Sequence, residues 1–248
     1  MTSKITTVLF DLGSTLIYFD GSMPKVVMRG NQRLMEALVN QGYSLDKKFL
    51  LAFRADLRDY FYQRDVDFLE YTVEQVLRQT LRNFGYPDVP SVHVKAALRE
   101  MYALTQVRWK LEDDALPVLN TLKQQGYRLG LISNAADADD ARALIERHQL
   151  NEWFEQILIS AEVGYRKPHP YIFQQALDYF GAVADRVVMV GDKLGADILG
   201  AKNAGMGSVW ITRRAHRDDN LSHEDTIHPD VVIQALRELP GALEAWVN

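Results

Sequence analysis

The 248-residue chain contains no cysteine. Disulfides, thiolate metal sites and a cysteine nucleophile are thereby excluded, and a reducing cytoplasm is the compartment expected for such a chain. No segment reaches the roughly 18 apolar residues of a membrane span. The first apolar run is interrupted by Asp11 and shows no signal-peptide pattern, so no membrane association is expected. Positive charge is not in surplus either: 28 basic against 33 acidic side chains leave a net charge of −5. That balance gives no bulk attraction to nucleic acid or anionic lipid. The 6 histidines show no metal-ligand spacing, and there is no repeat or low-complexity tract. Asn220-Leu-Ser222 matches a glycosylation acceptor but is read as chance without a secretory signal.

What the chain does carry is a change of rhythm. Residues 5–10 are β-branched and apolar and read as a buried strand ending at Asp11. Four helical patterns follow without a strand. Pro24 opens the first, Phe49, Phe53 and Leu57 mark the second, Thr72 and Gln75 form a capping box for the third, and Ser91 opens the fourth. From about residue 110 helices and strands alternate: helices over 115–125, 137–148, 170–180 and 195–204, strands over 128–132, 156–160, 186–190, 208–212 and 231–233. This alternation predicts an α/β fold, a Rossmann-like parallel sheet with helices on both faces. The predicted organisation is an α/β core from 1–17 and 109–248, interrupted by an all-helical insertion over 18–108. The tryptophans are expected to pack, and Arg213-Arg214-Ala215-His216-Arg217 to form a solvated loop.

In open α/β sheets ligands bind beyond the carboxyl ends of the strands. At those ends stand Asp11 in DLGST (11–15), Ser133-Asn134, Lys167 in Arg-Lys-Pro (166–168), and Asp192 and Asp197 in GDKLGAD (191–197). Carboxylates brought together repel unless a cation or proton lies among them. Oxygen ligands without His or Cys suit Mg²⁺. A lysine and a hydroxyl opposite the metal form a cage for a dianion, and a carboxylate inside that cage can attack phosphorus.

The four segments, in this order and with a helical insertion directly after the first strand, resemble the haloacid dehalogenase-like hydrolase superfamily over nearly the whole chain. The resemblance implies Asp11 as nucleophile and a Mg²⁺ held by Asp11, Asp192, the backbone carbonyl of Gly13 and, nearby, Asp197. It implies that Ser133, with Asn134, binds the phosphoryl group, and that Lys167 holds Asp11 and the phosphate charge together. The implied function is hydrolysis of a small phosphorylated metabolite through an aspartyl phosphate, the helical insertion acting as a cap over the site. Neither nucleic acid nor membrane is expected as a partner, and the oligomeric state stays open. One departure stands out. Phosphatases of the family carry a second Asp two residues after the nucleophile, as general acid and base, where this chain has Gly13. A positive φ at that glycine would disfavour an Asp there. Asp20, Asp65, Asp67 and His93 are the candidates for a substitute acid, Asp20 being nearest in sequence. Alternative readings are a catalytically weak or inactive member that binds a phosphorylated ligand or protein, and a phosphonatase- or dehalogenase-type hydrolase. The phosphonatase reading would need a reactive cap lysine, for which Lys25, Lys47 and Lys48 are available.

Overall fold

The computed structural model describes residues 4–215 and 218–246. Its centre is a six-stranded sheet in the order β5-β4-β1-β6-β7-β8, parallel throughout. The strands are β1 (Thr7–Phe10), β4 (Arg128–Ser133), β5 (Gln156–Ile159), β6 (Val187–Gly191), β7 (Gly207–Ile211) and β8 (Val231–Ile233). All four residues of β1 are buried, as both sheet faces require: Val8 and Phe10 join one apolar layer, Leu9 the other. From β1 the chain builds outward to β4 and β5, then restarts at β6 and builds the opposite way. The order therefore reverses between β1 and β6, where the crevice of a doubly wound sheet lies.

Two short strands went unpredicted. β2 (Ile17–Phe19) and β3 (Trp109–Leu111) pair antiparallel and form a two-stranded stem for the helical insertion. Three residues are too few to show a period, and their pairing spans about ninety residues of intervening chain. The insertion comprises α1 (Met23–Asn40), α2 (Lys47–Asp67), α3 (Val73–Asn83) and α4 (Ser91–Gln106). It has a core of its own, with Leu34, Leu38, Phe49, Phe53, Leu77 and Leu81 fully buried. Thr72 and Gln75 form the expected capping box of α3.

The remaining helices are α5 (Ala115–Gln124), α6 (Ala138–Arg147), α7 (Ser160–Val163), α8 (Pro170–Phe180), α9 (Leu199–Asn203), α10 (Asp218–Leu221) and α11 (Leu239–Ala245). The helix expected over 195–204 instead begins with a wide π-helical turn, Leu194–Ile198, and only then becomes α9. Arg213 and Arg214 do not form a solvated loop. Arg213 forks onto Asp114 and reaches Glu112, and Arg214 bonds Glu112 while covering the Tyr18 ring at 3.9 Å. His216 and Arg217 lie outside the described residues. Asn220 is buried and its amide is fully engaged, so the glycosylation match is indeed fortuitous. Among the described residues no helix is long and apolar enough to cross a membrane.

The insertion is stitched to the core beside α3. Leu69 bridges Tyr165, Glu70 N–H donates to the Gly164 carbonyl, and Arg166 N–H donates to the Phe68 carbonyl. Below this seam the Glu70 side chain is fully buried. It accepts from the Ser160 hydroxyl at 2.6 Å and from the Tyr60 hydroxyl, with Arg64 at 3.5 Å and Arg166 at 3.7 Å. Removing one partner of a buried charge cluster leaves the others uncompensated. Glu70→Ala is therefore expected to lower unfolding stability in urea by about 3 kcal/mol. A loss well under 1 kcal/mol would mean that the cluster does not anchor this seam.

Candidate active site

The first strand delivers Asp11 to the crevice. Its backbone N–H still donates to Val190, so the residue is held at the exact end of the β1–β6 pairing. The chain then turns sharply: Ser14 has φ 67°, and its N–H donates to the Ile17 carbonyl. The strained position is thus Ser14. Gly13 has no positive φ, so the backbone does not oppose a side chain there, and a Cβ would meet only the Trp109 ring, at 3.5 and 3.7 Å.

Lys167 occupies the centre. It is 2% exposed, and its ammonium contacts Asp11 Oδ1, Asp197 Oδ1 and the Ile132 carbonyl, each at 2.7 Å. Asp11 and the Ile132 carbonyl accept hydrogen bonds from it, and Asp197 is a close ion pair. Burial alone would lower the lysine pKa, but the carboxylates of Asp11 and Asp197 outweigh it and hold the pKa above its ordinary value. Lys167 therefore stays cationic. Its backbone is fixed as tightly: Lys167 N–H donates to Asn134 Oδ1 at 2.8 Å, and Asn134 Nδ2 donates to the Lys167 carbonyl at 2.9 Å. Asn134 thus clamps the lysine, whereas the sequence suggested a ligand contact.

The fourth loop brings Asp192 and Asp197, both 1% exposed. Asp197 Oδ2 accepts from Lys193 N–H at 2.9 Å. The π-helical turn packs this carboxylate so tightly on β6 that a Cβ on Gly191 would lie 2.3 Å from its Cγ, so only glycine fits there. The Asp192 carbonyl accepts from Trp210 Nε1 at 2.9 Å and from Asn220 Nδ2 at 2.8 Å. Asn220 also takes Leu194 N–H at 2.8 Å and so moulds the loop from 26 residues away. No local pattern marks that role.

Asp11, Asp192 and Asp197 offer carboxylate oxygens within 4.8 Å of one another. Three carboxylates face a single lysine, and the charge deficit together with the all-oxygen donor set fits a small divalent cation. All seven residues singled out in the sequence — Asp11, Gly13, Ser133, Asn134, Lys167, Asp192 and Asp197 — line one cavity of about 980 Å³ between the sheet edge and the insertion. The insertion and stem contribute Phe19, Phe61, Phe68, Tyr102 and Trp109 to its wall. Of the four suggested substitute acids only Asp65 lines this cavity. Asp20 is exposed, Asp67 is tied to Leu69 and Gln63, and His93 is bonded to the Tyr43 hydroxyl. Lys25, Lys47 and Lys48 are exposed and outside the cavity.

Sequence reading missed two carboxyls in the wall, Asp137 and Asp140, at the start of α6. Asp137 caps the helix by accepting from Asp140 N–H at 2.9 Å. Burial pushes the Asp140 carboxyl up to about 7, against a hydrogen bond from Gln106 and with help from the Asp137 charge. The signal available in sequence, an acidic first turn, is indistinguishable from ordinary helix-dipole pairing.

The model of the haloacid dehalogenase-like hydrolase family matches residues 5–205. A glyceraldehyde 3-phosphate phosphatase of Pyrococcus furiosus is 36% identical over 130 residues, 52% of this chain and 53% of that protein. A phosphoserine phosphatase of Thermus thermophilus is 32% identical over 167 residues, 67% and 63% of the two chains. The chain thus spans about half the length of the first of these relatives. Among solved structures, a 2-haloacid dehalogenase from Pseudomonas syringae superposes with a TM-score of 0.69 at 25% identity, covering 98% of this chain and 99% of that one. A phosphatase from Thermococcus onnurineus gives 0.64 at 24%, covering 96% and 98%.

The raised Asp140 pKa has a stability consequence. A carboxyl whose folded pKa lies above its unfolded value contributes fully below the unfolded value, and that contribution is lost as pH rises through the folded one, here about 7. Asparagine does not titrate and can still accept from Gln106. Asp140→Asn is therefore expected to gain melting temperature over the parent as pH rises from about 4 to about 8, by roughly 5 °C. A pH-independent difference in calorimetry would refute this.

Proposed function

Within the haloacid dehalogenase-like hydrolase family, to which this chain belongs, we propose that it is a Mg²⁺-dependent phosphatase of a small phosphorylated metabolite. The observation that carries this reading is the buried cluster of three carboxylates against one lysine. Such a cluster asks for a divalent cation, whose two charges with that of Lys167 balance the three carboxylates, and the cation and ammonium together then face a dianionic substrate group. Asp11, Asp192, the Gly13 carbonyl and Asp197 are the residues assigned to the metal. When bound it supplies neutralisation of the phosphoryl charge and orientation of the reacting oxygens.

The chain's own groups do the rest. Lys167 holds Asp11 Oδ1, which aims the other oxygen, Oδ2, at phosphorus. A new Asp11–phosphorus bond forms as the bond to the leaving oxygen breaks, and the pair of electrons departs with that oxygen. Ser133, buried at the end of β4, donates its hydroxyl to a phosphoryl oxygen. Asn134 keeps Lys167 in place. Water then attacks phosphorus, releasing phosphate and the Asp11 carboxylate. The helical insertion over 18–108 acts as the cap: it covers the cavity with aromatic side chains and excludes bulk water. The relatives named for glyceraldehyde 3-phosphate and phosphoserine support a small substrate of this class. The exposed cap lysines make a Schiff-base phosphonatase the weaker reading, and the acidic fourth loop weighs against dehalogenation.

Purified protein with Mg²⁺ is expected to turn over at least one member of a panel of alkyl, aryl and acyl phosphates. Chelation should abolish that turnover, and so should Asp11→Asn, an amide being a poor nucleophile and metal ligand. No turnover across the panel, with phosphorylated ligands still binding, would favour the inactive, ligand-binding alternative.

Gly13→Asp tests the departure from the family pattern. The backbone there accepts a side chain, and the Trp109 ring lies at ordinary contact distance. If no other cavity carboxyl supplies the proton, the variant raises kcat/KM on an alkyl phosphate by up to roughly 10²-fold, and less on an aryl phosphate whose leaving group needs none; if one does, the gain on both is only a few-fold. Equal changes on both substrates would show that no acid is lacking.

A further inference from the structure

The carboxyl missing at position 13 leaves the leaving group without a proton source from the first loop. The wall on that side is formed by Trp109, whose ring is 3.5 Å from where a Gly13 Cβ would stand. Trp109 in turn packs against the core layer that includes Ala141 and Leu144 of α6, and His148, just after α6, lies beside the Trp109 backbone. Helix α6 therefore runs beside the stem, and Asp137, Asp140, Ala141 and Leu144 all reach the cavity.

Apart from the cluster of Asp11, Asp192 and Asp197, three described carboxylates line this cavity: Asp65, Asp137 and Asp140. The Asp65 side chain is 68% exposed and lies against Arg64 and Arg166. Asp137 serves as the α6 cap. Asp140 is held through one oxygen only, Oδ1, by Gln106 Nε2 at 2.8 Å. Tyr102 and Gln106 of α4 face it, Asp137 repels it from its own helix, and Arg64 and Tyr60 of α2 lie beyond Tyr102. We propose that Asp140 is the general acid and base of this enzyme, standing in from the start of α6 for the carboxyl absent at position 13, and that the substrate is an alkyl phosphate.

The assignment rests on the phosphatase reading. As the Asp11–phosphorus bond forms, the Asp140 carboxylic acid gives its proton to the departing alkoxide, and an alcohol leaves. The Asp140 carboxylate then takes a proton from water as the water oxygen bonds to phosphorus. The Asp11–phosphorus bond breaks, and phosphate, the Asp11 carboxylate and protonated Asp140 result. A carboxyl with a pKa of about 7 holds its proton near neutrality, as the first step requires.

The experiment measures kcat/KM for the parent, Asp140→Asn, Gly13→Asp, and Gly13→Asp combined with Asp140→Asn. The substrates are glycerol phosphate and 4-nitrophenyl phosphate with Mg²⁺, from about pH 5.5 to about pH 9, with melting temperature measured alongside. Asp140→Asn is expected to lose roughly 10²-fold or more on the alkyl ester and under roughly tenfold on the aryl ester. The parent's alkyl activity should fall as pH rises through about 7, and the variant should lack that limb. The added Asp at position 13 should restore alkyl turnover in the Asp140→Asn background while Gly13→Asp alone adds little to the parent, a split that a purely structural role of Asp140 would not give. Equal losses on both esters, or a parent alkyl profile flat across neutrality, would overturn the assignment while leaving the phosphatase intact. A parent inactive on both esters would overturn the assignment and the phosphatase reading together. Should Asp140→Asn fail to fold, the parent's alkyl and aryl pH profiles decide the matter.

Discussion

The buried ammonium of Lys167 donates to Asp11 and to the Ile132 carbonyl and is paired at 2.7 Å with the Asp197 carboxylate. A charge buried this deeply is costly unless it is paired and fully hydrogen-bonded. Its position therefore constrains everything around it. The Asn134 clamp fixes its backbone, the π-helical turn brings Asp197 under it, and Gly191 clears the space that Asp197 needs. One lysine cannot balance three carboxylates. The remaining negative charge fits the crevice to a small cation.

The insertion closes over this crevice at two kinds of joint. The stem of β2 and β3 carries it on antiparallel pairing and is braced by Arg213 and Arg214 on Glu112 and Asp114. The seam at Glu70 ties it to the loop that also carries Lys167, with Arg166 shared between the two. The seam is thus adjacent in sequence to Lys167. The cavity wall is consequently mixed: sheet-edge polar groups on one side, aromatic rings from the insertion and stem on the other. Such a wall excludes water while leaving a few groups to act on the substrate.

The absence of a side chain at Gly13 is accompanied by two features on the same wall. Trp109 borders the space beside the glycine, and α6 presents Asp140 beyond it. A bulky ring beside Asp11 and a buried carboxyl on an adjacent helix differ from two carboxyls on one loop, and the charge of Asp140 is set by its own burial rather than by the Asp11 cluster.

The strand alternation, the helical insertion and the four polar segments were legible in sequence because each is a local signal. Buried parallel strands are apolar runs, helices show period 3.6, and ligands collect where strands end. Asp11, Ser133, Lys167, Asp192 and Asp197 could be named for that reason, and the structure gathers them in one cavity. The β2–β3 stem, the Asn220 and Trp210 contacts to the Asp192 carbonyl, the Asn134 clamp and the Asp140 carboxyl could not be named. Each depends on residues far apart in the chain, or on how deeply an ordinary-looking acid is buried. Sequence alone determined which residue types stand at the sheet edge. Only the tertiary structure decided which of them face one another, because pairing distance and desolvation, which set the charge of each group, exist only after the chain has packed.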